Sequence, residues 1–119
     1  MFLEDFKVYN FAMEIAEDIY SIVIKWNYFD KDTIGKQLIR AVDSISANLS
    51  EGLGRYHYKE RKNFSYYSRG SLFETITWIT KANNRNLIDD ITYRELKTKL
   101  DTISVKLNNY IKTIVPKDQ

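Results

Sequence analysis

Between Leu96 and Ile114 the apolar residues Leu96, Leu100, Ile103, Leu107, Tyr110 and Ile114 recur at intervals of four, three, four, three and four. That heptad spacing puts them on one narrow seam of an α-helix, and the seam requires another helix to cover it. Strand side chains alternate with period two and cannot produce this pattern. A heptad seam serves either an intermolecular coiled coil or a left-handed bundle, so the choice falls to the rest of the chain. Three further amphipathic segments supply partners within the same molecule. The first helix is predicted over 7–28, with Val8, Ala12, Ile15, Ala16, Ile19, Ile22, Val23 and Trp26 facing inward. The second is predicted over 33–53, with Ile34, Leu38, Ala41, Val42, Ile45 and Leu49 inward. The third is predicted over 57–84, using Phe64, Tyr67, Ser71, Leu72, Thr75, Trp78, Ile79 and Ala82. With one Pro and four Gly in 119 residues, the chain has too few breaks for the many turns of a sheet-rich domain. Short connections make consecutive helices antiparallel neighbours. The expectation is all-α: one domain over residues 1–119, folded as an antiparallel up-down-up-down four-helix bundle.

Local signals mark the helix ends. Asp5 is the candidate cap of the first helix, with Glu4 adding negative charge at the positive end of the dipole and Phe2 and Phe6 covering that end. Asp30 or Asp32 is expected to cap the second, although Gly35 weakens its start, and Gly52 and Gly54 to relax or end it. Gly70 and Ser71 interrupt the third with small residues, marking either a close approach by another helix or a bend. The run Asn83 to Asp90 breaks the pattern, Asp89 or Asp90 caps the fourth helix, and Pro116 stops it.

Composition removes much of enzyme chemistry. There is no cysteine, hence no disulfide and no thiolate nucleophile or ligand, and a lone histidine cannot build a multi-histidine metal site. The Glu-x-x-His pairs of carboxylate-bridged bundle sites are also missing. Glu51, Glu74, His57 and the tyrosines remain as acid–base groups, with Ser44 and Ser71 as hydroxyl nucleophiles, but no spacing brings His57 to either serine. The expectation is a protein that is not an enzyme and uses no cofactor or metal. The opening Met1-Phe2-Leu3-Glu4-Asp5 places acids where a signal peptide carries bases, and no eighteen-residue apolar run exists. No membrane association is expected, and the cytoplasm is the default location.

Three features concern partners. Arg40, Ser44 and Asn48 are spaced by four, with Glu51 and Arg55 following at three and four, so these polar groups share one side of the second helix. They form either a solvated, locally paired face or a hydrogen-bonded seam between helices or subunits. A basic stretch, Arg55, Lys59, Arg61, Lys62 and Arg69, is interleaved with Tyr56, Tyr58, Tyr66 and Tyr67. It reads either as a nucleic-acid surface, with cations for phosphates and rings for bases, or as a solvated face with tyrosines covering an interface. Charge is unevenly spread: residues 1–35 carry a net −4, residues 36–69 a net +4, and the remainder +2. Nine Tyr, two Trp and six Phe exceed what one narrow core encloses. Tyr9, Tyr20, Trp26, Tyr28, Tyr66, Tyr93 and Tyr110 cannot all point inward, and subunit faces offer a place for them.

The run from Gln37 to Arg55 resembles a family pattern, Gln-x-x-Arg-Ala-x-x-Ser-Ile-x-x-Asn-x-x-Glu-Gly followed shortly by Arg. Gln37, Arg40, Ser44, Asn48, Glu51, Gly52 and Arg55 fall on it, and Phe64 with Ser68-Arg69-Gly70-Ser71-Leu72-Phe73-Glu74 resembles the third-helix signature of the same family. This is the four-helix bundle protein family associated with 23S ribosomal RNA intervening sequences, which includes relatives that are accessory proteins of diversity-generating retroelements. The resemblance covers almost the whole chain. It implies a compact four-helix subunit assembling into a homopentameric ring, and a fold-supporting polar network of Gln37, Arg40, Ser44, Asn48, Glu51, Arg55 and Glu74. The accessory relatives pair a basic surface with nucleic acid and reverse-transcriptase partners. This chain departs from them in its small net charge, its acidic first helix and the lack of a proline near Asp30. The combined expectation is an oligomeric scaffold or adaptor, with direct RNA or DNA binding through Arg55, Lys59, Arg61, Lys62 and Arg69 as the alternative, and an enzyme with an intersubunit site as a distant third.

Overall fold

The computed structural model describes residues 1–116. Four helices make up the body: α1 (Lys7–Val23), α2 (Lys36–Leu53), α3 (Tyr58–Asn84) and α4 (Asp90–Thr113). Each packs against the next and α4 returns to α1, giving an elongated antiparallel bundle of 52 × 23 × 22 Å with no strand among the described residues.

The core is the sum of the four stripes. Ile15, Ile19, Val42, Ile45, Leu49, Leu72, Ile79, Leu100, Ile103 and Leu107 are almost completely buried. Each such side chain contributes about 1.5–3 kcal/mol of burial free energy against the conformational entropy of folding. The α4 seam is buried as the heptads require, from Leu96 to Ile114, while half-buried Tyr110 lays its ring 4.7 Å from that of Phe6.

Several expected ends move. The first helix stops at Val23 rather than running to residue 28, because Lys25 and Trp26 turn their N–H groups to the carbonyls of Ile22 and Val23 and close a tight turn. Asp5 does not cap α1. It sits in a short 3-10 turn, Leu3–Asp5, and buried Phe6 precedes the helix with no side-chain oxygen to offer. Phe6 covers this end alone, since Phe2 is exposed. Neither Asp30 nor Asp32 caps the second helix either. Asn27 does so for the helical turn Tyr28–Asp30, accepting the Asp30 N–H at 3.0 Å and donating to its carboxylate at 2.8 Å, while Asp32 pairs with Lys36 at 3.2 Å. A π turn, Lys31–Gly35, then runs without a break into α2, its Gly35 pressed against Val23 and Trp26.

The inner face of α3 differs most from its predicted stripe. Ser65 and Ser68 are buried and Tyr67 is exposed, so the helix is rotated relative to a purely apolar count. The reason is a close seam with α2. Gly52 lies so near α3 that a Cβ there would stand 2.8 Å from Phe64 Cβ and 3.3 Å from the Arg61 carbonyl oxygen. Small Ser65 and Ser68 continue that seam on α3, and Ser68 donates its hydroxyl across it to the Ile45 carbonyl at 2.8 Å. A serine so bonded is a good core residue although it carries no apolar signal. The close approach expected at Gly70 is absent: that glycine is exposed, a Cβ added to it would meet nothing within 4 Å, and the helix continues through it.

At its far end α3 closes in a Schellman motif. Leu87 donates its N–H to Ala82 at 2.9 Å and Asn86 donates to Asn83 at 3.1 Å, with Asn86 in the left-handed region at φ 61°. Of the two expected candidates, Asp89 caps α4, accepting the Thr92 N–H at 2.7 Å. That bond holds the Asp89 carboxyl below its ordinary pKa. Pro116 lies three residues beyond α4, which has already ended at Thr113.

Candidate interaction surfaces

The polar stripe of α2 stays on its own helix within one subunit. Ser44 donates to the Arg40 carbonyl at 2.7 Å, Asn48 donates to the Ser44 carbonyl at 2.9 Å, and Arg55 pairs with Glu51 one turn back. Gln37, Ser44 and Asn48 are half-buried, whereas Arg40, Glu51 and Arg55 are exposed. Glu74, exposed on α3, accepts from Trp78 Nε1 at 3.3 Å. The helices are instead joined by other polar contacts, two of them from residues of the third-helix signature: Ser68 to Ile45, Arg69 to Asn108 at 3.0 Å, and Lys99 to Asp18 at 2.7 Å. Their sequence separations are 23, 39 and 81 residues, so no local spacing could have marked them.

The five basic residues are divided rather than gathered. Arg55 lies over the Phe64 ring at 5.0 Å, and Arg69 over the Tyr66 ring at 4.9 Å while also bonding Asn108. Lys59 is exposed and Lys62 half-buried on the same flank of α3. Arg61 turns the other way, toward the bundle, where its Nε is buried without a hydrogen-bond partner beside Tyr110. Burial raises the Tyr110 phenol pKa, and the Arg61 charge offsets part of the rise.

No group of three or more His, Cys, Asp or Glu side chains able to hold a metal occurs among the described residues. The Ser44 hydroxyl is engaged by its own backbone, and exposed His57 precedes α3 in edge contact with Tyr56. No described helix is long and apolar enough to cross a membrane.

Apolar side chains are exposed at several places, Tyr28, Phe29, Ile91 and Val105 among them, and two groups of them share a helix corner. On α1 and at its C-cap they are Met13, Tyr20 and Ile24, at 42%, 50% and 47% exposure, with Glu17 between them. On α3 they are Tyr66, Tyr67 and Phe73, at 40%, 57% and 57%, flanking the open Gly70. A shallow groove of about 210 Å³ runs between α1 and α4, lined chiefly by Phe11, Ile15, Thr102 and Ile103, with Lys99 and Glu14 at its rim.

A family model described as 23S rRNA-intervening sequence protein matches residues 4–109. The chain belongs to this family. A similar solved structure is the crystal structure of a protein with unknown function from the S23 ribosomal protein family of Bacteroides thetaiotaomicron VPI-5482. It is 22% identical, aligns over 89% of this chain and 99% of its own, and has a TM-score of 0.80, so the likeness is one of fold. A comparison with curated proteins returns no match. Family membership thus accounts for the four-helix architecture and leaves the biochemical role to the surfaces.

Proposed function

We propose that the protein is a non-enzymatic scaffold whose working form is an assembly of several copies of this chain. The observation that carries this reading is the pair of exposed apolar corners on α1 and α3. The core is closed without Met13, Tyr20, Ile24, Tyr66, Tyr67 or Phe73, so water contact at these side chains is unexplained by the folding of one subunit. A ring of five is the count that the family resemblance implies. The α2 stripe, Gln37, Arg40, Ser44, Asn48, Glu51 and Arg55, with Glu74 on α3, then serves as a register-setting network. Glu74→Gln is expected to lower thermal stability or loosen assembly, and no change in either would remove Glu74 from that role. Sedimentation velocity and light scattering over a hundredfold range of concentration test the scaffold itself. A multimer is expected, and a monomer at every concentration overturns the reading.

A second reading, direct RNA or DNA binding, is supported by the two arginine-on-ring pairs, Arg55 with Phe64 and Arg69 with Tyr66, beside Lys59 and Lys62. Repetition around an assembly would multiply a weak patch into several simultaneous phosphate contacts. Polarisation titrations with single-stranded RNA and DNA at low and physiological salt test it. Salt-sensitive association is expected, and none at high protein concentration rules it out.

A further inference from the structure

We propose that the trough between α1 and α4 is a docking site for one helix of another protein chain, apolar along one ridge and acidic beside it. The site is complete within a single subunit, so it goes beyond the scaffold reading and needs no particular number of copies.

Shape points to a helix. Three hollows of about 290, 370 and 210 Å³ follow one another along the α1–α4 seam. Lys7 and Lys106 line both the first and the second, and Phe11 and Glu14 line both the second and the third, so the three form one trough. It follows α4 from Thr113 to Thr98, about 22 Å or four turns at 1.5 Å per residue. The ion pair from Lys99 to Asp18 crosses the seam at its far end. A small-molecule site encloses most of its ligand, which a trough open to solvent along its length cannot do. A third helix needs only one ridge covered, and the groove between two packed helices accepts such a ridge.

The lining suits that ridge. Buried Ile15 and Ile103 contribute to it, and Phe11 stands beside them at 39% exposure. On the α4 side Thr98, Thr102 and Asn109 are exposed, uncharged and short, so they leave room for an approaching backbone. The Thr102 hydroxyl donates to the Thr98 carbonyl at 3.1 Å and asks nothing of a partner. The α2–α3 seam, by contrast, is already closed by Gly52, Ser65 and Ser68.

Charge selects the partner. Lys7 on α1 and Lys106 on α4 line the same two hollows, and neither has a carboxylate within ion-pair distance among the described residues. Lys106 has the Phe11 ring instead, its ammonium 5.1 Å from the ring centre. Glu14 is the one carboxylate lining the three hollows, and it acts on Lys99: the hydrogen bond to Asp18, and after it the charges of Glu95 and Glu14, push the Lys99 ammonium pKa up. Lys7 and Lys106 are therefore the uncompensated charges of the trough. A docked helix with carboxylates beside its apolar ridge answers them, and one with lysines there is repelled.

The chain has no cysteine, so Thr102→Cys carries a single environment-sensitive fluorophore on the trough wall. The probes are two synthetic helical peptides of about 15 residues, the length of the trough, with the same leucine ridge and either glutamate or lysine beside it. The glutamate peptide is expected to shift the emission of the labelled full-length chain to the blue and to bind at least about tenfold tighter than the lysine peptide, a difference that shrinks in about 0.5 M salt. Lys7→Glu combined with Lys106→Glu is expected to invert the preference, with circular dichroism confirming the fold. Should that variant unfold, the comparison of the two peptides on the unreversed chain still decides. Equal binding of both peptides, or no shift up to about 1 mM of the glutamate peptide, overturns the proposal. A multimer whose reporter is already buried and answers to neither peptide has a second copy in the trough; that overturns the partner helix and leaves the scaffold reading standing. A chain that is monomeric by light scattering yet binds the glutamate peptide supports the docking site and removes the scaffold reading.

Discussion

Gly52→Ala is a direct test of the α2–α3 seam, because the added atom has nowhere to go. Its Cβ would meet Phe64 Cβ at 2.8 Å and the Arg61 carbonyl oxygen at 3.3 Å, both fixed to the α3 backbone. Relief requires the two helices to part by several tenths of an ångström along a seam that also holds the Ser68 to Ile45 hydrogen bond. Overpacking of this kind costs about 1–3 kcal/mol. Replacing glycine in a helix returns up to about 1 kcal/mol, less here because Gly52 is next to the last residue of α2. The net expectation is a loss of about 1–2 kcal/mol, or about 4–8 °C in Tm for a chain of this size. Gly54→Ala is the internal control. Two residues further on, at φ −76°, its Cβ would meet its nearest atoms at the ordinary distances of 3.6 and 3.7 Å. It is expected to be neutral or slightly stabilising. Truncating Phe64 to Ala will not rescue Gly52→Ala, since the contact is with the Cβ that alanine keeps. Urea titrations at one fixed protein concentration measure all four proteins. A Gly52→Ala variant as stable as the wild type would refute the claim that helix approach, rather than chain flexibility, requires glycine there.

Asn86→Gly is expected to stabilise the chain by about 0.5–1 kcal/mol, because φ 61° costs a side chain more than it costs glycine; Asn86→Val at the same site lowers Tm. Asp89 has a depressed folded pKa, so its contribution is present above the unfolded value of 3.8 and is lost as pH falls through the lower folded value. Asp89→Asn therefore keeps the cap but flattens the acid limb of a stability–pH curve below about pH 4, whereas Asp89→Ala also lowers stability at neutral pH. Asp18→Asn, which removes the charge facing Lys99, is expected to cost no more than about 1 kcal/mol, since both side chains are about half exposed, and the difference should shrink in 0.5 M salt. Ile103→Ala, at the centre of the α4 seam, is expected to cost about 2–5 kcal/mol in urea denaturation; a loss below 1 kcal/mol would mean the seam is not the core.

The sequence by itself determined the four helices, their antiparallel order and most of their inner faces, including the heptad positions Leu96, Leu100, Ile103 and Leu107. The cap at Asp89 was also legible. These are local properties: a period of 3.6 residues and a carboxylate ahead of a first turn are written in consecutive residues, and the solvent enforces them wherever the chain folds. Tertiary structure alone decided which glycine marks a close approach. Gly52 and Gly70 look equivalent in the chain, but one faces a neighbouring helix and the other faces open space. It also turned Arg61 inward and Lys59 outward, buried Ser65 and Ser68, and joined Arg69 to Asn108 and Asp18 to Lys99. The α2 motif was recognisable as a string of residues, but its side chains bond within their own helix in the single subunit. The physical reason is that periodicity fixes which side of a helix is greasy to within a residue or so, while the rotation and separation of two packed helices are set by side-chain volumes brought together from distant parts of the chain.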